Sequence, residues 1–217
     1  NNTLSSNTDY GLYITNSDDM IVKGNTASAN NAGMYFSASD DATISSNVVD
    51  DHASYGIYFT DSKRLRVNHN EIKNSLGDAV YLSSNCDSAF IDNNTIKSNG
   101  NSDSGRSLRL FEVEDSTIYN NTVDSNDYSG IVITESSNNK IVQNVVKGNG
   151  KYGIQILNDA TKSANNTIKD NTINDNSDIA IFNHGIFTTI FNNTIKYLSL
   201  IHISEPTRRY AISYAVF

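Results

Sequence analysis

"GIVITESSNNKIVQNVVKGNGKYGIQI", residues 130–156, opens on a Gly-Ile-x-Ile phrase and closes on another, with Asn144 and Asn149 between them. The interval is not local to this stretch. Asparagines recur at Asn2, Asn25, Asn47, Asn70, Asn94, Asn121, Asn144, Asn171 and Asn193, at spacings of 22 to 27 residues. Three residues before each, where the chain reaches that far back, stands an aliphatic: Val22, Ile44, Val67, Ile91, Ile118, Ile141, Ile168 and Ile190. Two residues after each stands Leu4, Ala27, Val49, Ile72, Ile96, Val123, Val146, Ile173 or Ile195. A third apolar segment follows in most repeats, as in Gly11-Leu12-Tyr13-Ile14, Gly33-Met34-Tyr35-Phe36, Gly56-Ile57-Tyr58-Phe59 and Ala79-Val80-Tyr81-Leu82.

A fixed period of this size marks a solenoid, in which each unit needs a neighbour to bury its apolar face. The pairs Leu12/Ile14, Met34/Phe36 and Ile57/Phe59 alternate with a period of two, as strands with one buried face do, and no helical stripe is present. The expected fold is all-β: a right-handed, single-stranded parallel β-helix over residues 1–197, with about eight coils of 22–27 residues and three short strands per coil. Coils stacked at ~4.8 Å make a rod on the order of 40 Å long.

Asparagine suits the corners of such a rod, because it tolerates left-handed backbone and both donates and accepts hydrogen bonds. Asn25, Asn47, Asn70, Asn94, Asn121, Asn144, Asn171 and Asn193 are therefore expected to occupy corners and to bond one another as a ladder. A second column lies five residues on: Asn7, Asn30, His52, Ser75, Asn99, Asn126, Asn149 and Asn176.

The run from Asn121 to Asn144, with its Asn-x-aliphatic-x-x-Asn, Gly-Ile-x-Ile and Ser-x-x-Asn elements, resembles the parallel β-helix repeats of NosD-like periplasmic proteins, carbohydrate-binding and sugar-hydrolase repeat domains, and many surface proteins. The likeness extends from Asn1 to about Tyr197. It implies the fold and an extracellular, cell-surface or periplasmic setting. Function stays open, because pectate lyases, polygalacturonases, alginate epimerases, phage tailspikes and noncatalytic rods are similar in architecture.

A formal charge of -8 and scattered Lys and Arg argue against a nucleic-acid surface, and disfavour polymeric acids except at a local basic spot. No apolar run is long enough to span a bilayer. Cys86 is alone, and His52, His69, His184, Met20 and Met34 share no column, so nothing calls for a disulfide, a metal or another cofactor. The opening Asn1-Asn2-Thr3 reads as a cut inside something larger. The last residues, Leu198–Phe217, hold the single proline and abandon the repeat. They resemble a translated sequencing adapter and are expected to be foreign to the protein.

Chemistry is sought on the outer faces. Between the inward residues of the Gly-initiated strands runs Tyr13, Tyr35, Tyr58, Tyr81, Arg109, Val132, Gln155 and Phe182. Tyr13, Tyr35, Tyr58, Tyr81 and Arg109 are the candidate carbohydrate-binding residues, since aromatic faces pack on sugar rings and a guanidinium bonds hydroxyls or carboxylates. Stacked tyrosines also simply suit a sheet. Arg109 with Glu112 or Tyr81 is the candidate catalytic group, because removal of the proton beside a uronate carboxyl needs a base and a cation. Insertions in "NGNSDSGRS" and "LNDATKSA" are places where a site could be shaped. Asp50-Asp51-His52 reads as a corner, not as acid-base machinery, and Asn183-His184-Gly185 lacks the companions of a polygalacturonase site. Three readings follow: a noncatalytic rod contacting saccharide or a surface glycan; a polysaccharide lyase, epimerase or hydrolase; or a NosD-like periplasmic accessory protein.

Overall fold

The computed structural model describes residues 1–100, 105–157 and 162–196. The reading of Leu198–Phe217 as foreign sequence lies outside the described residues, as do the centres of both insertions. The first coil is β1 (Thr3–Ser5), β2 (Tyr10–Thr15) and β3 (Ile21–Lys23), and the triplet repeats up to β25 (Thr194–Lys196). Every third strand joins the same sheet, giving one parallel sheet of nine strands and two of eight among the described residues. The register is that of the repeat itself: Val123 pairs with Val146 and Ile118 with Ile141, each beside its counterpart one coil on. This is the expected solenoid.

The strands are short because each supplies only one or two inward side chains before a corner. Ile44, Val67, Ile91, Ile118, Ile141 and Ile168 fill one interior column, while Met34, Phe36, Ile57, Phe59, Val80 and Leu82 fill another. Phe36 and Phe59 stack at 4.9 Å. Ile190 and Ile195 occupy equivalent positions in the last described coil and are exposed there. A coil buries its inner face only where another coil covers it.

The corners depart from expectation in one respect. The left-handed residue is not the ladder asparagine but the one before it: Gly24, Ser46, His69, Asn93, Asn120, Gln143, Asp170 and Asn192 all have φ between +51° and +68°. The turn at that residue swings the asparagine inward, where both its backbone and side chain serve the ladder. Asn144 Oδ1 accepts the Asn121 backbone N–H at 2.9 Å and its Nδ2–H at 3.1 Å, and Asn144 Nδ2 donates to the Ile118 carbonyl at 3.0 Å. The pattern recurs from coil to coil. A third ladder, not foreseen, runs on serine: Ser17 N–H donates to Ser39 Oγ, Ser39 N–H to Ser62 Oγ, and Ser136 N–H to Ser163 Oγ. Cys86 sits in the same corner with its thiol against the Ser83 carbonyl, and burial pushes that thiol up to about 12.

Candidate functional site

The sheet formed by β2 (Tyr10–Thr15), β5 (Ala32–Ser37), β8 (Ile57–Thr60), β11 (Val80–Ser83) and β14 (Leu108–Phe111) carries the outward tyrosines. Its alternation leaves no choice: with Met34 and Phe36 inside, Tyr35 must point out. Register then aligns Tyr13 with Tyr35, Tyr35 with Tyr58, Tyr58 with Tyr81, and Tyr81 with Arg109.

The rings form two stacked pairs. Tyr13 and Tyr35 lie parallel at 5.0 Å, Tyr58 and Tyr81 parallel at 4.9 Å, and the pairs meet edge-on at 5.3 Å and 75°. Their faces are thus largely spent on one another, contrary to the expectation that faces lie open to sugar rings. What the file presents outward is ring edges and phenol hydroxyls. Burial raises the Tyr35 and Tyr81 phenols above their usual range, so both are neutral donors at physiological pH. Ser83, itself buried, donates from Oγ to Tyr58 Oη at 3.1 Å and pins that ring.

A flanking row was missed in the sequence. Tyr10, Tyr55, Asp78 and Arg106 each stand three residues before a member of the file, and that shared offset was the available signal. Tyr10 leans on Tyr13 and Tyr35 at 5.1 and 5.3 Å, and Tyr55 on Tyr58 and Tyr81 at 5.0 and 5.8 Å. Beyond Arg109 the file stops being a surface, because Val132 and Gln155 are buried.

Arg109 closes the platform. Its guanidinium lies 4.6 Å over the Tyr81 ring, and its Nη1 is 3.5 Å from Asp78 Oδ2. The expected company of Arg109 and Glu112 is corrected: Glu112 turns the corner with φ +55°, accepts from Ser84 Oγ at 3.3 Å, and faces Lys162 at 3.8 Å. Glu114 and Asp115 belong to the same corner region, where Glu114 N–H bonds Asp87 and Asp115 has φ +55°. The carboxylate that joins Arg109 and Tyr81 is Asp78. Burial raises its pKa, against the lowering effect of the Arg106 N–H and of the Arg109 and Arg106 charges.

The remaining candidates disperse. His52 is buried in the second ladder, where its Nδ1 accepts the Asn30 N–H at 3.3 Å. Asn183 bonds its own corner at Gly185, and His184 packs on Phe182 at 4.4 Å. Asp18 and Asp40, which stand at matching turns of successive coils, accept the backbone N–H groups of Asp40 and Lys63 and so serve the corners.

The pattern of a family described as a right handed beta helix region matches residues 1–96 and 72–195. No curated protein matches the chain by sequence. Among solved structures, the periplasmic alginate epimerase AlgG is similar at a TM-score of 0.79 and 20% identity, over 86% of this chain and 47% of that one. The A-module of the Azotobacter vinelandii mannuronan C-5 epimerase AlgE4 is similar at 0.69 and 14%, over 87% of this chain and 63% of its own. Tailspike protein 2 of an Escherichia coli bacteriophage is similar at 0.66 and 15%, over 87% and 29%. The chain spans about half the length of the epimerase AlgG.

Proposed function

The chain belongs to the right handed beta helix family, and from that premise we propose that it is a noncatalytic rod of a secreted, surface or periplasmic protein that contacts saccharide through the tyrosine platform. The observation that carries this reading is the in-register file Tyr13, Tyr35, Tyr58 and Tyr81, flanked by Tyr10 and Tyr55 and closed by Arg109. Core packing does not require it, since the residues point away from the core. It offers phenol hydroxyls at ~4.8 Å intervals along the rod, a ladder of donors and acceptors suited to a chain of sugar hydroxyls. Epimerases and a tailspike are among the similar folds.

One observation favours the enzyme reading: Tyr81, Arg109 and a buried carboxyl, Asp78, converge at one end of the platform. Asp78 already accepts the Arg106 N–H at 2.5 Å and is only 4% exposed, which suits a positioning residue better than a base reaching substrate.

Both readings meet one experiment. Replacing Tyr35 and Tyr58 together by Ser is expected to abolish binding on a glycan array while the β-sheet circular dichroism spectrum is kept. Equal binding by parent and variant would leave the file as sheet packing. Release of unsaturated uronate or of new reducing ends by the parent would replace the rod with the enzyme.

A further inference from the structure

The platform ends on a cation whose charge is already engaged, and the group engaging it is buried. Asp78 Oδ1 accepts the Arg106 backbone N–H, and Oδ2 faces Arg109 Nη1 at 3.5 Å. Among the described residues, the ionisable groups that act on Asp78 or feel its charge are Arg106, Arg109, and the phenols of Tyr55 and Tyr81. The Arg106 guanidinium lies 6.0 Å over Tyr128. Arg109 is the cation on the file itself, partly exposed, with a buried Nε that has no hydrogen-bond partner. The chain as a whole carries a formal charge of -8, so this is where an acidic ligand finds compensation.

Resting on the saccharide reading above, we propose that Asp78 is the specificity-determining residue of the platform, masking Arg109 while it is a carboxylate and releasing it to acidic sugars when it is a neutral acid. With Asp78 ionised, the Arg109–Asp78 pair has no net charge, and a sugar carboxylate arriving at Arg109 meets a second carboxylate behind it. Neutral saccharides are indifferent to this. When Asp78 takes a proton from solvent, the Arg106 N–H keeps its acceptor and Arg109 keeps its seat over Tyr81. Among the described residues no other carboxylate then pairs with its charge, and a sugar carboxylate can take the place of Asp78 through a charge-assisted contact. Burial brings the neutral acid within reach at milder acidity than an exposed carboxyl would need, so a solvent-exposed uronate stays ionised as Asp78 discharges.

The test uses the full chain and two oligosaccharides of equal length, one neutral and one an oligogalacturonate, titrated by calorimetry at one pH above and one pH below the Asp78 midpoint that carbon-13 NMR of its carboxyl locates. The parent is expected to bind the neutral oligomer alike at both pH values, and the oligogalacturonate about tenfold more tightly at the lower one. Asp78→Asn should bind the oligogalacturonate at the higher pH as the parent does at the lower, and Arg109→Gln should lose the response. Unchanged acidic affinity in a folded Asp78→Asn variant that still binds the neutral oligomer overturns this inference and leaves the saccharide reading standing. Carbon-13 NMR of the Asp78 carboxyl provides a readout without glycan: Arg109→Gln should raise its titration midpoint by removing a cation. An unmoved midpoint overturns the masking directly. A moved midpoint with neither oligomer bound overturns the saccharide reading, and this inference with it.

Discussion

At the scale of single residues, the second ladder has one poor rung. His52 stands where its neighbours along the rod carry Asn30 and, after Ser75, Asn99. Its Nε2 is buried without a hydrogen-bond partner, and so is Ser75 Oγ. Burial lowers the His52 pKa, outweighing the pull of the Asn30 and Ala27 backbone and of Asp50 and Asp51. A depressed histidine pKa means that the folded state binds fewer protons than the unfolded one. Its contribution is present above the ordinary value of 6.5 and is lost as pH falls through the folded value. His52→Asn is expected to flatten that loss and to add about 0.5–1.5 kcal/mol at neutral pH by completing the rung. Thermal melts on either side of the histidine range check it; an unchanged pH slope would reject it. Asp78 runs the other way. Its raised pKa makes its contribution fully present below the ordinary carboxylate value of 3.8 and lost as pH rises through the folded value. Asp78→Asn should remove that slope from the same melts.

At the scale of elements, corners and strands divide the labour. The strands bury aliphatics, while the ladders satisfy the backbone where the chain turns and sheet bonding stops. Besides accepting the Thr172 N–H at its carbonyl, Asn144 serves six hydrogen bonds of the ladder, joining Asn121, Ile118, Val142 and Asn171. Asn144→Leu keeps the backbone donor but leaves the buried Asn121 backbone N–H without its acceptor, while Asn121 Nδ2 retains the Ile91 and Tyr119 carbonyls. The expected loss is about 1–3 kcal/mol, each buried unpaired group costing in that range. It is read as a lower denaturation midpoint, and an unchanged midpoint would remove the ladder from the account of stability. The tyrosine file follows the strand period, so its direction was legible from Leu12, Met34 and Ile57. Its self-stacking was not, because ring orientation depends on χ angles set by the neighbouring coil.

At the scale of the whole molecule, stability is a sum of nearly equal coils and of the interfaces between them. Such a rod tolerates loss at its margin. The asparagine ladder reaches a last rung at Asn193, which accepts from Asn171 at 2.9 Å and donates to the Ile168 carbonyl. Deleting Leu198–Phe217, which continues neither ladder nor strand pattern, is expected to leave one cooperative melt at the parent's temperature. Loss of cooperativity would show that segment to be part of the fold. The rod also explains why the candidate site is a line and not a pocket: with coils repeating in register, a side chain at one repeat position becomes a file.

The period, the three strands per coil, the interior columns, the two asparagine ladders and the membership of the tyrosine file were all determined by the sequence alone. In a solenoid, neighbours in space are neighbours in the repeat, so an alignment of the chain with itself is already a contact map. Three things were decided by the tertiary structure. The left-handed turn falls one residue before each asparagine, because the inward-pointing amide and the sharp turn cannot both be met by one backbone. The tyrosine faces are closed by stacking, because a spacing of ~4.8 Å between coils is close to ring contact distance. Asp78 rather than Glu112 partners Arg109, because three residues along a strand lead round a corner, whereas the flanking row one coil back lies within hydrogen-bond reach. These depend on side-chain direction between coils, which a repeat pattern does not encode.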